Sequence, residues 1–293
     1  MGNNTPLNVA VIGCGNLGTA IAKGILDPLD KQSHTINRII ATVGTEASKR
    51  RVEEELSDSS ARLKVFLQKD NEAAMRDADV IIIATKPVKR SEVFAAQGVK
   101  EALRGKLVIS IMAGISTKEL ARLAVGEKGS SDNQAPFQAV RVMPNMAAKI
   151  REALSLCTAD FDTLTDANKE IATWIFNQVG QSRFIPESSF DISAVLVGCA
   201  GSLLLLAVDG LLDAAVAEGV KRPEAQDMAF TSAIGMMKLV PAGNHPSVLR
   251  EKIASPGGCS IRALLELERL GVRSAYTSAI MAAAARSKEM SNS

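Results

Sequence analysis

The 293-residue sequence has few aromatic residues, histidines and cysteines. Phe, Trp and Tyr make up only 3% of the chain, which removes the stacking surfaces expected of a protein that binds single-stranded nucleic acid. There are two histidines, and the four cysteines are scattered without the spacing of metal ligands. We therefore predict no metal site and expect the cysteines to be reduced thiols.

The sequence also lacks a strong charge of either sign. It has 34 Lys and Arg against 32 Asp and Glu, a formal net charge of +2. No block of like charge marks an arm for nucleic acid, so a small-molecule ligand is favoured. Residues 1–6 lack the basic flank and apolar core of a secretion signal, which predicts a cytoplasmic protein with no membrane partner.

An apolar run followed by spaced glycines lies near the N-terminus. Residues 9–12 read Val-Ala-Val-Ile and lead into Gly13, Gly15 and Gly18. A buried strand that ends in Gly-x-Gly-x-x-Gly before a helix is typical of a dinucleotide-binding turn. We expect the pyrophosphate of a nicotinamide nucleotide at these glycines, with Asn16 and Leu17 in the helix N-terminus that faces it. The alternative is a glycine-rich turn without a ligand.

Further apolar segments predict a parallel sheet. Strands are expected at residues 38–43, 79–84, 106–112 and 139–143, with 154–158 and 183–186 closing the sheet around a helix between Thr165 and Gly180. Ligands of such sheets bind at the carboxyl ends of the strands. The residues at the carboxyl end of the strand predicted over 79–84 should therefore lie beside the cofactor; they are Ala84, Thr85, Lys86 and Pro87.

The end of the second predicted strand indicates which cofactor is used. An acidic residue there would bind a ribose 2′-hydroxyl, but Thr45 is followed by Lys49, Arg50 and Arg51. Hydroxyls followed by cations favour a 2′-phosphate, and hence NADPH. Two alternatives stay open: the three cations form the solvated face of a helix, or Glu46 binds the ribose of NADH.

From Ser188 onward the sequence reads as nearly continuous helix. We predict an α/β Rossmann-like dinucleotide-binding domain over residues 1–187 and an all-α domain for dimerisation and substrate binding over residues 188–293. Residues 192–208 carry no charge and approach the length of a membrane span, but Asp191, Asp209 and two internal glycines favour a buried helix. So apolar a helix needs partners on several sides, which predicts a homodimer or a higher homo-oligomer.

Several motifs occur in one order along the chain and resemble those of pyrroline-5-carboxylate reductases. They are the glycine turn, Ala-Thr-Lys-Pro at 84–87, Val-Met-Pro-Asn at 142–145, His-Pro-Ser-Val-Leu at 245–249 and Ser-Pro-Gly-Gly at 255–258. The resemblance covers essentially the whole chain. It implies an NAD(P)-binding Rossmann domain followed by a helical dimerisation domain. It also implies NAD(P)H-dependent reduction of a cyclic imine carboxylate, 1-pyrroline-5-carboxylate, to proline.

The resemblance implies where the substrate binds. The loop of Gly257, Gly258, Cys259 and Ser260 would hold the substrate carboxylate. Consecutive glycine N–H groups ahead of a helix that opens at Ile261 suit this role. We expect Ser260 to be the catalytic residue, holding the carboxylate or a water near the imine. The alternative is a plain helix cap, with Ser260 as the N-cap residue.

Two residues are expected at the nicotinamide end of the cofactor, Lys86 and Asn145. The imine, once protonated, is already a strong electrophile, so we expect no His or Lys as an obligatory acid.

Three departures from the family pattern lie on the substrate side. Cys259 and Ser260 stand where the family usually has two threonines, and Asn-Met-Ala-Ala at 145–148 replaces Asn-Thr-Pro-Ala. The family's Ser-Gly-Ser-Gly-Pro-Ala-Tyr corresponds to Val-Gly-Cys-Ala-Gly-Ser-Leu at 197–203. These changes leave two alternatives: a reductase of a substituted or different-sized cyclic imine in specialised metabolism, or a non-catalytic nucleotide-binding sensor or assembly protein. The ring size of the imine and the oligomer beyond a dimer stay open.

Overall fold

The structure is a computed structural model that describes residues 5–125 and 137–291. It divides into two compact units, of which the second is Cys199–Arg286 and the first is the rest of the chain. Helix α8, Glu187–Ala217, begins at the predicted domain boundary and contains the division between the units. The first four residues, on which the predicted location partly depends, lie outside the described residues.

An eight-stranded sheet forms the centre of the first unit. Its strands are β1 Leu7–Ile12, β2 Ile36–Val43, β3 Leu63–Leu67, β4 Val80–Ile83, β5 Leu107–Ser110, β6 Gln138–Met143, β7 Ala153–Ala159 and β8 Gly180–Phe184. The spatial order is β3-β2-β1-β4-β5-β6-β7-β8, with β1 to β6 parallel and β7 antiparallel to β6. The predicted Rossmann-type sheet is confirmed. Strand β3 was missed because Lys64 interrupts its apolar run.

Helices cover both faces of this sheet. They are α1 Asn16–Leu26, α2 Glu46–Glu55, α3 Asn71–Arg76, α4 Arg90–Ala95, α5 Val99–Leu103, α6 Thr117–Val125 and α7 Asp166–Asn177. Alternate residues of β1 enter two separate apolar clusters: Val9 and Val11 pack with α1 and α7, whereas Ala10 and Ile12 pack with α3 to α6. This alternation is the period of a strand buried on both faces.

Helix α7 lies where the sequence predicts a helix between Thr165 and Gly180. The Thr165 hydroxyl caps it by accepting the Asn168 N–H at 3.3 Å. Gly180 has a φ of +145°, and a Cβ there would lie 2.1 Å from the Ala153 carbonyl oxygen. Glycine is therefore required where the chain turns into β8.

The second unit contains the rest of α8 and four more helices: α9 Arg222–Lys238, α10 Pro246–Ile253, α11 Cys259–Arg269 and α12 Val272–Ser291, which extends past the unit. Among its described side chains only Leu212 and Ala225 are buried. Helix α8 is long and apolar enough to cross a membrane by length and composition alone, and 11% of its most apolar window is buried. Within one chain this helix is therefore largely uncovered.

Candidate active site

The glycine turn lies at the carboxyl end of β1, between β2 and β4, where the strand order reverses. Gly13 has a φ of +82°, and a Cβ there would lie 2.5 Å from Thr85 Cγ2. A Cβ on Gly18 would lie 3.2 Å from Val11 Cγ1 and 3.4 Å from Ala84 Cβ. The positive φ and the closeness of Thr85 thus require glycine at position 13, whereas at position 18 a Cβ would make a tight contact with Val11.

Gly15 differs from its two neighbours in the motif. Its φ is −82°, which any residue adopts, and the one atom that a Cβ would approach is the Gly13 carbonyl oxygen, at 3.9 Å. Neither backbone conformation nor protein packing explains a glycine here. Open space lies in front of it, and no side chain caps the N-terminus of α1. The N–H groups of Asn16 and Leu17, in the first turn, are left for a ligand.

Two backbone hydrogen bonds fasten the turn to β2. The N–H groups of Gly13 and Cys14 both donate to the Thr42 carbonyl oxygen, at 3.1 and 2.7 Å. Cys14 is buried, and this burial raises the pKa of its thiol to about 11. The thiol is therefore a packing group within the turn.

Arg51 is the one predicted cation that contacts the glycine turn. Its Nη2 donates to the Cys14 carbonyl at 3.2 Å and lies 3.5 Å from Thr19 Oγ1, while Nη1 pairs with Glu55 at 2.8 Å. The sequence predicts Arg51 only as one of three neighbouring cations, with Lys49 and Arg50, and this contact was not predicted. The i,i+4 spacing of Arg51 and Glu55 was the available signal that this cation has a partner.

Thr45 and the predicted cations belong to helix α2. The Thr45 hydroxyl caps the helix by accepting the Ser48 N–H at 3.1 Å. Lys49 and Arg50 form no ion pair with another described residue. The exposed Glu46 lies in the first turn of the same helix. Helix α2 thus presents two unpaired cations after the end of β2.

The ends of β4 and β6 lie at the same edge of the sheet as the glycine turn. The Ala84 N–H donates to the Ile12 carbonyl at 2.8 Å, and Thr85 packs on Gly13. Lys86 is exposed and precedes a short 3₁₀ helix, Pro87–Lys89. Beyond β6, Asn145 caps another 3₁₀ helix, its Oδ1 accepting the Ala147 N–H at 3.3 Å. The structure therefore gathers the predicted cofactor residues along one edge.

The predicted substrate loop lies in the second unit. Residues Ser255 to Gly258 form a tight turn, in which the Gly258 N–H donates to the Ser255 carbonyl at 3.0 Å. Pro256 occupies the second position and Gly257, with a φ of +71°, the third. This is the sequence and geometry of a type II turn.

This geometry corrects two expectations about the loop. Helix α11 begins at Cys259 with Gly258 as its N-cap, so it does not open at Ile261 and Ser260 is not the cap. The Gly258 N–H is used within the turn, so consecutive glycine N–H groups are not available. No described side chain caps α11, so the N–H groups available at its N-terminus are those of Cys259 and Ser260 in the first turn, not those of the two glycines.

Both histidines have structural surroundings. His245 caps α10 through Nδ1, which accepts the Ser247 N–H at 3.2 Å. The His34 ring stands edge-on to Trp174 with centroids 5.5 Å apart. Within the described ranges no group of three or more His, Cys, Asp or Glu residues is placed to hold a metal.

Arg141 on β6 was not predicted from the sequence, and it is the one charged residue that is buried in the described part of the chain. Its side chain is 5% exposed and pairs with Glu187 at 3.0 Å and Asp191 at 2.6 Å, both in the first turns of α8. Its guanidinium carbon lies 4.2 Å from the Phe190 ring centroid. Arg141 therefore fixes the start of α8 on the sheet.

Two family models match the chain. Residues 187–290 match the family described as pyrroline-5-carboxylate reductase dimerisation, and residues 8–114 match the family described as NADP oxidoreductase, coenzyme F420-dependent. The two matches fall on the helical part and on the Rossmann part of the chain.

Relatives that match over nearly the whole chain are named pyrroline-5-carboxylate reductase. Pyrroline-5-carboxylate reductase of Lophium arboricola is 34% identical over 289 residues, 94% of this chain and 90% of the relative. That of Neurospora crassa is 35% identical over 303 residues, covering 95% and 91%. The structure of Plasmodium falciparum pyrroline carboxylate reductase with NADP bound matches with a TM-score of 0.80 at 24% identity, covering 97% of this chain and 98% of that one. At this identity the match shows the shared fold.

Proposed function

The chain belongs to the pyrroline-5-carboxylate reductase family, and we propose from this membership that it reduces 1-pyrroline-5-carboxylate to proline with NADPH. Gly15 is the observation that carries the proposal for this chain. Its glycine is required by no neighbour and no unusual φ, and it faces open space at a helix N-terminus. That is the place where a pyrophosphate approaches the backbone in this fold.

The residues at this edge fit a nicotinamide nucleotide. The N–H groups of Asn16 and Leu17 bind its pyrophosphate. Lys49 and Arg50, which form no ion pair with another described residue, bind the 2′-phosphate of NADPH. The Asn145 amide, which keeps its NH₂ donors free of the helix cap, serves the nicotinamide end. When bound, the cofactor supplies a hydride to the carbon of the C=N bond.

The substrate residues hold the imine by its carboxylate. The N–H groups of Cys259 and Ser260, together with the Ser260 hydroxyl, donate to the carboxylate at the N-terminus of α11. A protonated imine carries its proton on the ring nitrogen into the product, so positioning suffices and no acidic side chain is needed.

The proposal includes a homodimer as the working form, with no nucleic-acid or membrane partner and a cytoplasmic location. The exposed apolar faces of the helical unit, which matches the dimerisation family, support it. A second chain would cover α8 without a bilayer.

An NADPH-oxidation assay tests the proposal against a panel of five- and six-membered cyclic imines, with and without a carboxylate, and is repeated with NADH. We expect the highest kcat/KM for pyrroline-5-carboxylate with NADPH. Equal or tighter binding of NADH would contradict the cofactor part. Nucleotide binding without turnover of any imine would instead support the non-catalytic alternative.

A bulkier or different-sized imine is the second candidate, favoured by Leu203 and Cys259 on the substrate side. If they mark a reshaped pocket, pyrroline-5-carboxylate is a poor substrate, because one misfitted methylene-sized contact costs about 1 to 3 kcal/mol in specificity. The double change Leu203→Tyr with Cys259→Thr then raises activity on it. Lower activity in the double variant would assign the chain to the proline reaction.

A further inference from the structure

We propose that Arg51 is a positioning residue that holds the phosphate-binding turn in shape, and that it does not bind the 2′-phosphate. The inference rests on the proposed function, since it assumes that the turn binds a nicotinamide nucleotide. It divides the three neighbouring cations of α2 into two roles, with Lys49 and Arg50 left for the phosphate.

The contacts of Arg51 run to the carbonyl side of the turn. Its Nη2 donates to the Cys14 carbonyl at 3.2 Å. Thr19, 3.5 Å from the same nitrogen, donates its hydroxyl to the Gly15 carbonyl at 2.8 Å and lies 3.6 Å from Cys14 Sγ. The carbonyls of Cys14 and Gly15 are therefore both held. Fixing the direction of these peptide groups fixes the face that Gly15 presents to the ligand.

The charge of Arg51 is also already used. Glu55 accepts from Nη1 at 2.8 Å, so the pair is close to neutral and attracts a distant phosphate weakly. Lys49 and Arg50 have no such partner among the residues that the structure describes. A dianionic 2′-phosphate should therefore be bound by those two cations.

The two roles predict different ratios of affinity. NADPH and NADH share the pyrophosphate but differ in the 2′-phosphate. A residue that shapes the turn changes both dissociation constants by one factor, whereas a 2′-phosphate ligand changes that of NADPH alone. The ratio of the two constants separates the roles.

Titration calorimetry on Arg51→Met tests this, with Arg50→Met as the matched control on the same helix. For Arg51→Met we expect Kd to rise about 10-fold for both nucleotides, the loss of roughly one charge-assisted hydrogen bond. For Arg50→Met we expect the rise for NADPH alone. An Arg51→Met effect confined to NADPH, or no effect on either nucleotide, would overturn the inference. If the wild-type protein binds neither nucleotide, the proposed function itself has failed.

The thiol of Cys14 gives a readout that does not involve the cofactor. Cys14 and Cys157 are both buried, in the turn and in β7, and burial raises their pKa values to about 11 and about 12. Labelling with a thiol reagent, followed by peptide mass spectrometry, reports how often each site opens. We expect Arg51→Met to speed labelling of Cys14 several-fold and leave Cys157 unchanged.

Equal acceleration at both cysteines would mean a general loss of stability and would contradict the positioning role. If Arg51→Met does not fold, Arg51→Lys takes its place in both experiments. Lysine keeps the charge but lacks the two guanidinium nitrogens that reach the Cys14 carbonyl and Glu55 together. We therefore again expect the ratio of the NADPH and NADH dissociation constants to stay unchanged and the labelling of Cys14 alone to be faster.

Discussion

The Rossmann unit buries its apolar residues within one chain, whereas the helical unit leaves most of its own exposed. Strand β1 alone contributes four fully buried residues to two clusters, one on each face of the sheet. In Cys199–Arg286 only two described side chains are buried, and large apolar residues are exposed: Leu206, Leu211 and Leu265 are 70%, 64% and 62% exposed. The first unit has an apolar core on each face of its sheet, whereas the helical unit buries little of its apolar surface within one chain.

The largest effect on the helical unit should come from placing charges in this exposed apolar surface. The double variant Leu205→Glu with Leu206→Glu puts two carboxylates on α8, and burying each at a subunit interface costs several kcal/mol. We expect a monomer with reduced helix content. Light scattering and circular dichroism at micromolar concentration measure both properties.

The matched control is Val88→Glu in the first unit, where the side chain is 77% exposed. It tests whether a charge at any exposed apolar residue has the same effect, and we expect the dimer to persist. A Leu205→Glu, Leu206→Glu protein that remains a stable dimer would show that this part of α8 does not form the interface.

The next largest effect should come from a substitution in the glycine turn, which should weaken nucleotide binding without changing the fold. Gly15→Val adds a side chain where the structure has open space and an ordinary φ, so the melting temperature should stay within about 2 °C of wild type. NADPH affinity should fall about 100-fold or more, because the side chain occupies the place of the pyrophosphate. Calorimetry and thermal unfolding give both values. Unchanged affinity would remove the phosphate assignment.

The fold was more predictable than the contacts. The strands can be predicted because they are buried on both faces and therefore read as continuous runs of β-branched residues, as at residues 79–84. Arg141 gave no such signal, because its partners Glu187 and Asp191 lie 46 and 50 positions away and pair only once α8 packs on β6. Arg51 was seen as a cation, but its reach across to Cys14 depends on tertiary geometry.

The substrate loop shows the same limit at short range. The sequence predicts a loop over residues 257–260 ahead of a helix that opens at Ile261. The structure has a turn ahead of a helix here, but the turn is Ser255 to Gly258 and the helix begins two residues earlier, at Cys259. The prediction of two consecutive free glycine N–H groups was wrong, because the Gly258 N–H donates to the Ser255 carbonyl. Composition alone does not encode that hydrogen bond.

A third prediction compares the ion pairs of the two units. Arg141→Met removes the buried cation but leaves Glu187 and Asp191 about four-tenths exposed and able to hydrate, so we expect a loss of about 1 to 3 kcal/mol in the free energy of unfolding. Arg222→Met removes an exposed arginine that pairs with Asp209 and Asp213 in the helical unit, and no measurable change is expected. Urea unfolding of both variants measures the difference. Equal losses would show that burial of Arg141 does not matter.

The smallest effect should come from Ser260→Ala, which asks whether the helical unit contributes a binding group as well as an interface. Ser260 is exposed in the first turn of α11, and Gly258, not Ser260, is the N-cap, so the hydroxyl has no capping role to lose. We expect an unchanged melting temperature and unchanged NADPH affinity. The KM for the imine should rise about 10-fold, because one hydrogen bond to a charged carboxylate is removed. Steady-state kinetics measures that rise, and Ser260→Thr, which keeps the hydroxyl, should retain the wild-type KM. A variant that loses thermal stability with KM unaltered would place the carboxylate elsewhere and leave the helical unit with assembly as its role.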